Sequence, residues 1–338
     1  MRLKFATASA LVMGLAILPI SARQVDAAPG YSYSIVGNPA DVVTPTSGLL
    51  VLQGGGTDVD ENFVRMGAKA GGGDFVVIRA SGTDAYNPYI YSLCSCDSVA
   101  TIVFKNRNAA FQPFVIDTIR NAEAVFIAGG DQSRYVQFWK NTPVEDAINF
   151  VAAKPAPVGG TSAGMAIMSE FVYSAMSNSS LTSEEGLANP FHRDLTLDRD
   201  FVALPKLQGL ITDQHLQERD RMGRTVAFLA RLVTDGWAAE GRAIAADRET
   251  ALHVDPTDGT ADVLSTPNHP TPYVYFLSTP GPPEVCQPGT PLTYRNVKVY
   301  RVGPGDGFDI DRWRGTGGIG YTLTVEAGVL TSSRGEIY

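Results

Sequence analysis

The sequence predicts an α/β protein: a mostly parallel sheet flanked by helices, followed by a β-rich C-terminal extension. Three observations carry that prediction. Short apolar runs recur through the first half of the chain, and each is closed by glycine or small polar residues. Stretches of helical periodicity separate them, the alternation that builds a parallel sheet. From about Pro256 onward, Pro and Gly become frequent and alternating runs at 273–277, 297–302 and 321–325 read as antiparallel strands.

The elements follow in chain order. Arg2 and Lys4 precede a short apolar run at 11–18, and Val25-Asp26-Ala27 supplies a small-residue cleavage pattern. Residues 1–27 therefore read as a signal peptide, with export to a periplasm or beyond and no membrane contact after its removal. An uncleaved anchor is the alternative, since no later segment is long and apolar enough to span a bilayer. An α/β catalytic domain is expected over 28–255 and the extension over 256–338. Strands are expected at 48–53, 75–78, 101–104 and 124–127, with a further run at 151–158 leading into a serine turn; helices are expected at 62–70, 113–121 and 133–138.

Glycine-rich turns at 54–56, 129–132 and 159–164 all close strands, the ends at which functional groups of such sheets gather. The first lacks G-x-G-x-x-G spacing and the acidic residue a dinucleotide site requires. The third reads G-x-S-x-G across Gly160, Ser162 and Gly164. That pattern suits a nucleophile elbow, a tight strand-to-helix turn that projects the serine hydroxyl and aims the next N–H at a developing oxyanion. Small neighbours are needed there because a strained turn has no room for bulky side chains.

Composition narrows the partners. The chain has 35 Asp and Glu against 27 Lys and Arg; without the leader's Arg2, Lys4, Arg23 and Asp26 the counts are 34 and 24. An acidic balance argues against nucleic acid. Three cysteines, Cys94, Cys96 and Cys286, permit one disulfide with one thiol left over, and a bridge from Cys286 to one of the pair is a candidate. Cys94 and Cys96 are too close for the usual zinc pairs and the four histidines do not cluster beside them, so no metal is expected.

A serine nucleophile needs a base. His192 and His269 lie in polar or Pro-rich loops, and His253 alternates within a strand. His215 stands apart. A strand runs into Asp213-Gln214-His215, and three arginines, Arg219, Arg221 and Arg224, follow within six positions. Cations are disfavoured at a helix start, so substrate carboxylates or acidic protein partners are expected to relieve them.

Together, residues 129–132 (Gly-Gly-Asp-Gln), 160–164 (Gly-Thr-Ser-Ala-Gly) and the 213–224 segment resemble the cyanophycinase family of serine peptidases, the S51 group that also contains aspartyl dipeptidases. The resemblance covers about 45–255. It implies a fold related to class I glutamine amidotransferases, a homodimer and no cofactor. It also implies Ser162 as nucleophile, His215 as base, and an oxyanion hole from Ala163 and Gly130. Gln132, Asp213, Gln214, Arg219, Arg221 and Arg224 would read a peptide or polymer substrate with β-linked Asp-Arg units, as guanidinium forks suit carboxylates. The family's acid lies in an Asp-Glu-x-Thr-Ala strand, but this chain reads Asp247-Arg248-Glu249-Thr250-Ala251. Arg248 holds the expected position, and a one-residue step in a strand reverses the side-chain face. Glu249 is the candidate acid, with Asp247 open as an alternative. The function expected is an exported serine exopeptidase releasing β-Asp-Arg from cyanophycin. An isoaspartyl or aspartyl dipeptidase, or a binding protein that has lost turnover, is the alternative. A conventional α/β-hydrolase fits poorly, because there the acid precedes a late histidine.

Overall fold

The computed structural model of the protein describes residues 30–338; the leader expected over 1–27 lies outside them. Two sheets organise the chain. The ten-stranded sheet centres on five parallel strands in the spatial order Ser98–Phe104, Asp74–Arg79, Ala124–Ile127, Pro157–Thr161 and Leu49–Gln53. Tyr31–Gly37 pairs antiparallel on the outer side of the first, and Thr250–Val254 pairs antiparallel with the last.

The apolar alternation along these strands divides the core in two. Val51, Phe75, Val77 and Phe126 face the helix Asp60–Lys69 through Phe63 and Met66. Leu52, Ile78, Ile127 and Val158 face the other way, onto Val115 and Ile119 of Pro113–Asn121 and Ile148 and Val151 of Pro143–Ala153. Strands covered on both faces read as continuous apolar runs, and these do. The helix Pro143–Ala153 corrects the expected run at 151–158. Pro143 starts it at the first turn, Val144, Ala147, Ile148 and Val151 give it one buried face, and the strand begins only at Pro157.

The eight-stranded sheet has the order 329–332, 319–326, 294–302, 274–278, 242–246, 211–214, 171–173 and 197–199. The β-rich C-terminal region contributes to both sheets. Thr260–Ser265, Gly307–Asp309 and Arg314–Thr316 lengthen the first; Val274–Ser278, Tyr294–Val302, Ile319–Glu326 and Val329–Ser332 form one side of the second. The three alternating runs read from the sequence are antiparallel strands.

Two consecutive strands sit in different sheets. Arg242–Ala246 belongs to the smaller and Thr250–Val254 to the larger, so residues 247–249 cross the seam between them. The strand Ile211–Gln214 and the turn at 54–56 meet the same seam: His215 N–H donates to Gly54 O at 2.9 Å and Gly54 N–H to Thr250 O at 2.9 Å. The cysteine expectation is corrected. Cys94 and Cys96 are disulfide-bonded, across a left-handed Ser95 that closes the helix Tyr86–Cys94, while Cys286 is a buried thiol. Cys286 lies in the core of the smaller sheet and the 94–96 pair in that of the larger, so no bridge joins them. Among the described residues no helix is long and apolar enough to cross a membrane.

Candidate active site

Glycine shapes the serine turn through what it leaves room for. A Cβ on Gly164 would lie 1.9 Å from Ile127 O, and one on Gly160 would lie 2.8 Å from the Gly164 carbonyl carbon. The short helix Ala163–Ala166 therefore rests directly on the strand before it. Ser162 links strand to helix at φ 52°, ψ −116°. Outside glycine such a backbone costs on the order of 1–3 kcal/mol and persists only where its surroundings hold it. Ser162 N–H donating to Gln53 O at 3.0 Å is one such hold.

His215 completes the pair. Its Nε2 lies 2.9 Å from Ser162 Oγ, within the reach a general base requires. The residue has a left-handed backbone (φ 51°), which turns the ring back over the glycine turn. A Cβ on Gly55 would come within 2.2 Å of Nε2, so the first glycine cluster makes space for the imidazole.

The acid on the other side of the ring is Glu218. Its Oε2 lies 2.8 Å from His215 Nδ1. A tautomer with the proton on Nδ1 donates to that carboxylate and leaves Nε2 free to accept the serine proton. Burial draws His215 below its ordinary pKa, and the charges of Arg219 and Arg221 add to this against the Glu218 hydrogen bond. For Glu218 burial acts upward, but the His215 bond and the charges of Arg219 and Arg248 take the carboxyl below its usual range. Arg248, at the position where an acid was expected, thus favours the ionised form of the acid that the structure supplies instead.

Glu249 is corrected accordingly. It has a left-handed backbone (φ 56°) and turns toward Thr57 Oγ1 (3.3 Å), Thr266 Oγ1 (3.4 Å) and the Arg248 guanidinium (3.7 Å). Asp247 is buried, and its Oδ1 accepts Gln217 N–H at 2.9 Å. Neither carboxylate is the one bonded to His215. The sequence pattern points to an acid in a strand, where parity matters, and not to Glu218. Its signal was local: an acid three residues past the histidine, in a turn.

Two residues expected in the pocket wall lie behind it. Asp213 and Arg224 are buried and form a two-pronged ion pair, with Arg224 Nε to Asp213 Oδ2 at 2.9 Å and a second contact from Arg224 NH2 to Asp213 Oδ1. Thr225 Oγ1 donates to the same carboxylate at 2.8 Å. The guanidinium also stacks over Tyr173, 5.0 Å from the ring centroid. Burial would raise the Asp213 pKa, but the Arg224 charge holds it low. Arg221 is buried as well and donates to Gln214 O at 2.8 Å and to Gln214 Oε1, so this arginine and this glutamine satisfy each other. Its pKa is brought down to about 9 by burial and by the neighbouring Arg224.

Arg219 is exposed in the turn after His215, and half-buried Gln132 reaches Tyr173 O at 3.4 Å. Gly130 (φ 155°) precedes the helix Gln132–Trp139, which Asp131 caps through Ser133 N–H. Among the described residues the Gly130 N–H meets no acceptor, and Ala163 N–H opens a helix whose first amides have no partner within it. Among the described residues, Glu185, His192 and Asp194 bring candidate metal-ligating atoms within 4.8 Å of one another; Glu185 already accepts from Thr182 N–H and Oγ1.

Known proteins resemble this chain in sequence and in fold. The profile of peptidase family S51 matches residues 94–254. Cyanophycinases from Trichormus variabilis and a Nostoc species are each 26% identical over 222 residues, 65% of this chain and 68% of theirs. The fold is shared with a solved peptidase from an acI-B1 Actinobacterium, at a TM-score of 0.51 and 14% identity, covering 78% of this chain and 98% of that one. The family profile spans both the serine turn and the 213–224 segment, and over that stretch the chain is similar to the serine-type peptidases of family S51.

Proposed function

We propose that the protein is an exported exopeptidase that hydrolyses cyanophycin to β-Asp-Arg units through a Ser162–His215–Glu218 triad. The observation that carries the chemistry is the continuous chain of contacts from Ser162 Oγ through both nitrogens of His215 to Glu218. His215 takes the hydroxyl proton as Ser162 Oγ attacks the main-chain carbonyl that joins the β-Asp-Arg unit to the rest of the polymer. The oxyanion of the tetrahedral intermediate is met by Ala163 N–H and Gly130 N–H. His215 then gives its proton to the leaving amine, and water releases the acyl group by the same route in reverse. Glu218 fixes the tautomer and stabilises the imidazolium without itself taking the proton. The low pKa of His215 keeps the base neutral near pH 7. No step calls for a cofactor.

The substrate reading is supported by the two cyanophycinase relatives and by Arg219, exposed beside the base with no carboxylate paired to its fork among the described residues. Export rests on the leader pattern, and a homodimer on the family resemblance. The test is to incubate the mature chain with cyanophycin and with short aspartyl dipeptides. Release of β-Asp-Arg from the polymer, abolished in Ser162→Ala, is the expected result. Cleavage of dipeptides alone would replace the polymer with an aspartyl dipeptide as substrate, and binding without turnover would contradict the enzyme reading.

A further inference from the structure

The turn carrying the base and its acid is held from outside. Within residues 215–221, His215 (φ 51°) and Asp220 (φ 46°) have left-handed backbones, uncommon for residues with a Cβ. Internal bonds from Arg219 N–H to His215 O (3.1 Å) and Arg221 N–H to Leu216 O (2.8 Å) fold it. One external hold is the seam: Leu216 N–H donates to Ala246 O at 3.3 Å and Gln217 N–H to Asp247 Oδ1 at 2.9 Å.

Ser183 Oγ donates to Asp220 O as a second hold, and a third comes from a residue far along the chain. Tyr338 OH donates to Asp220 Oδ1 at 2.7 Å and accepts Met222 N–H at 3.2 Å. Met222 opens the helix Met222–Thr234, so this amide has no acceptor within the helix and the phenol supplies one. The ring is fixed in turn. It meets Tyr275 edge-on, centroids 6.3 Å apart at 84°, and Tyr321 OH donates to the neighbouring Ile337 O at 2.8 Å. Both tyrosines stand on strands of the C-terminal region, Val274–Ser278 and Ile319–Glu326.

We propose that Tyr338 is a positioning residue for hydrolysis, through which the C-terminal strands clamp the turn that sets Glu218 against His215. The inference rests on the Ser162–His215–Glu218 reading. Burial pushes the phenol well above its ordinary pKa, so it remains a donor throughout the working range. The clamp acts on both sides of Glu218, on the Gln217 backbone through Asp247 and on the Asp220 carboxylate and Met222 N–H through Tyr338. Without the Tyr338 bonds the Glu218 carboxylate keeps its charge but loses its fixed place beside Nδ1.

The test uses the full chain and a fluorophosphonate probe, so it does not depend on the natural substrate. In labelling, Ser162 Oγ displaces fluoride from phosphorus as His215 takes the hydroxyl proton. Tyr338→Phe keeps the ring and is expected to slow labelling about five-fold, the scale of one hydrogen bond, with little change in thermal midpoint. Asp220→Ala, at an exposed position, is expected to slow it by a similar factor. The acid limb of the labelling profile reports His215, which Glu218, Arg219 and Arg221 surround. It should move to lower pH in Tyr338→Phe, as it does when the Glu218 bond is lost. In a Glu218→Gln background, Tyr338→Phe should bring no further loss. An unchanged rate in both variants, or the same fractional loss with and without Glu218, overturns the proposal. Normal labelling of Ser162→Ala would instead overturn the triad itself, so the two failures are distinct.

Discussion

The serine turn at 159–164 and the polar segment at 213–224 both close a strand at the seam, but they are built on opposite principles. In the first, nearly everything beside the serine is small, and the backbone itself, strained at Ser162, supplies geometry and an amide donor. In the second, side chains do the work and divide by depth. Asp213, Gln214, Arg221 and Arg224 form an inner layer that satisfies itself, the buried His215 turns toward Ser162, and Glu218 and Arg219 are exposed in the turn. A dense run of charges at a strand end therefore marks a site without saying which charges meet the substrate. Burial decides that, because a buried arginine must find its hydrogen-bond acceptors inside the protein.

The comparison breaks most sharply at the acid. Glu218→Gln is expected to reduce turnover on the order of 10²–10⁴-fold, as the imidazole loses its preferred tautomer and the imidazolium its partner. Glu249→Gln should stay within about two-fold, because the threonines it meets can bond an amide equally well. A steady-state comparison of the two separates them, and a larger loss at 249 would restore the strand-borne acid. Next in size is the inner layer. Asp213→Ala leaves Arg224 charged and unpaired in the core, a cost of about 3–5 kcal/mol. Chemical denaturation should show it as a lowered midpoint. If stability were unchanged while substrate affinity fell, the pair would belong to the pocket after all.

The outer layer behaves differently. Arg219→Ala should leave stability within about 0.5 kcal/mol and raise KM for a carboxylate-bearing substrate with a smaller change in kcat. A KM untouched by the substitution would remove Arg219 from recognition. A pH-dependent effect concerns Asp247, whose carboxyl burial pushes up to about 7, with Arg301 acting against this. In the unfolded chain the group titrates near pH ~4. Because the folded value is the higher, its stabilisation is complete below about pH 4 and is lost as pH rises through about 7. Asp247→Asn should flatten the thermal midpoint over that window, and an unaltered slope would show that another group sets it.

Much of this was legible from local pattern. The strands at Leu49–Gln53, Asp74–Arg79 and Ala124–Ile127 were visible because both faces are buried and glycine stops each run. Ser162 was visible because only small residues fit around it, and His215 because polar residues were crowded beside it. The edge strand Tyr31–Gly37 was not seen, since Tyr and Ser alternating at half-buried positions carry a weak signal. Nor was the joining of the C-terminal strands to two existing sheets, which depends on backbone pairing between distant segments. Glu218 and Tyr338 were hidden for related reasons. One acts through a turn rather than a strand, and the other reaches its partner across 118 positions.

The most direct test of the central claim is to label the protein with a fluorophosphonate and map the adduct by mass spectrometry. The triad predicts one adduct on Ser162, lost in Ser162→Ala and slowed on the order of 10²-fold or more in His215→Ala. An adduct on another residue, or labelling of Ser162 at the same rate without His215, would contradict it.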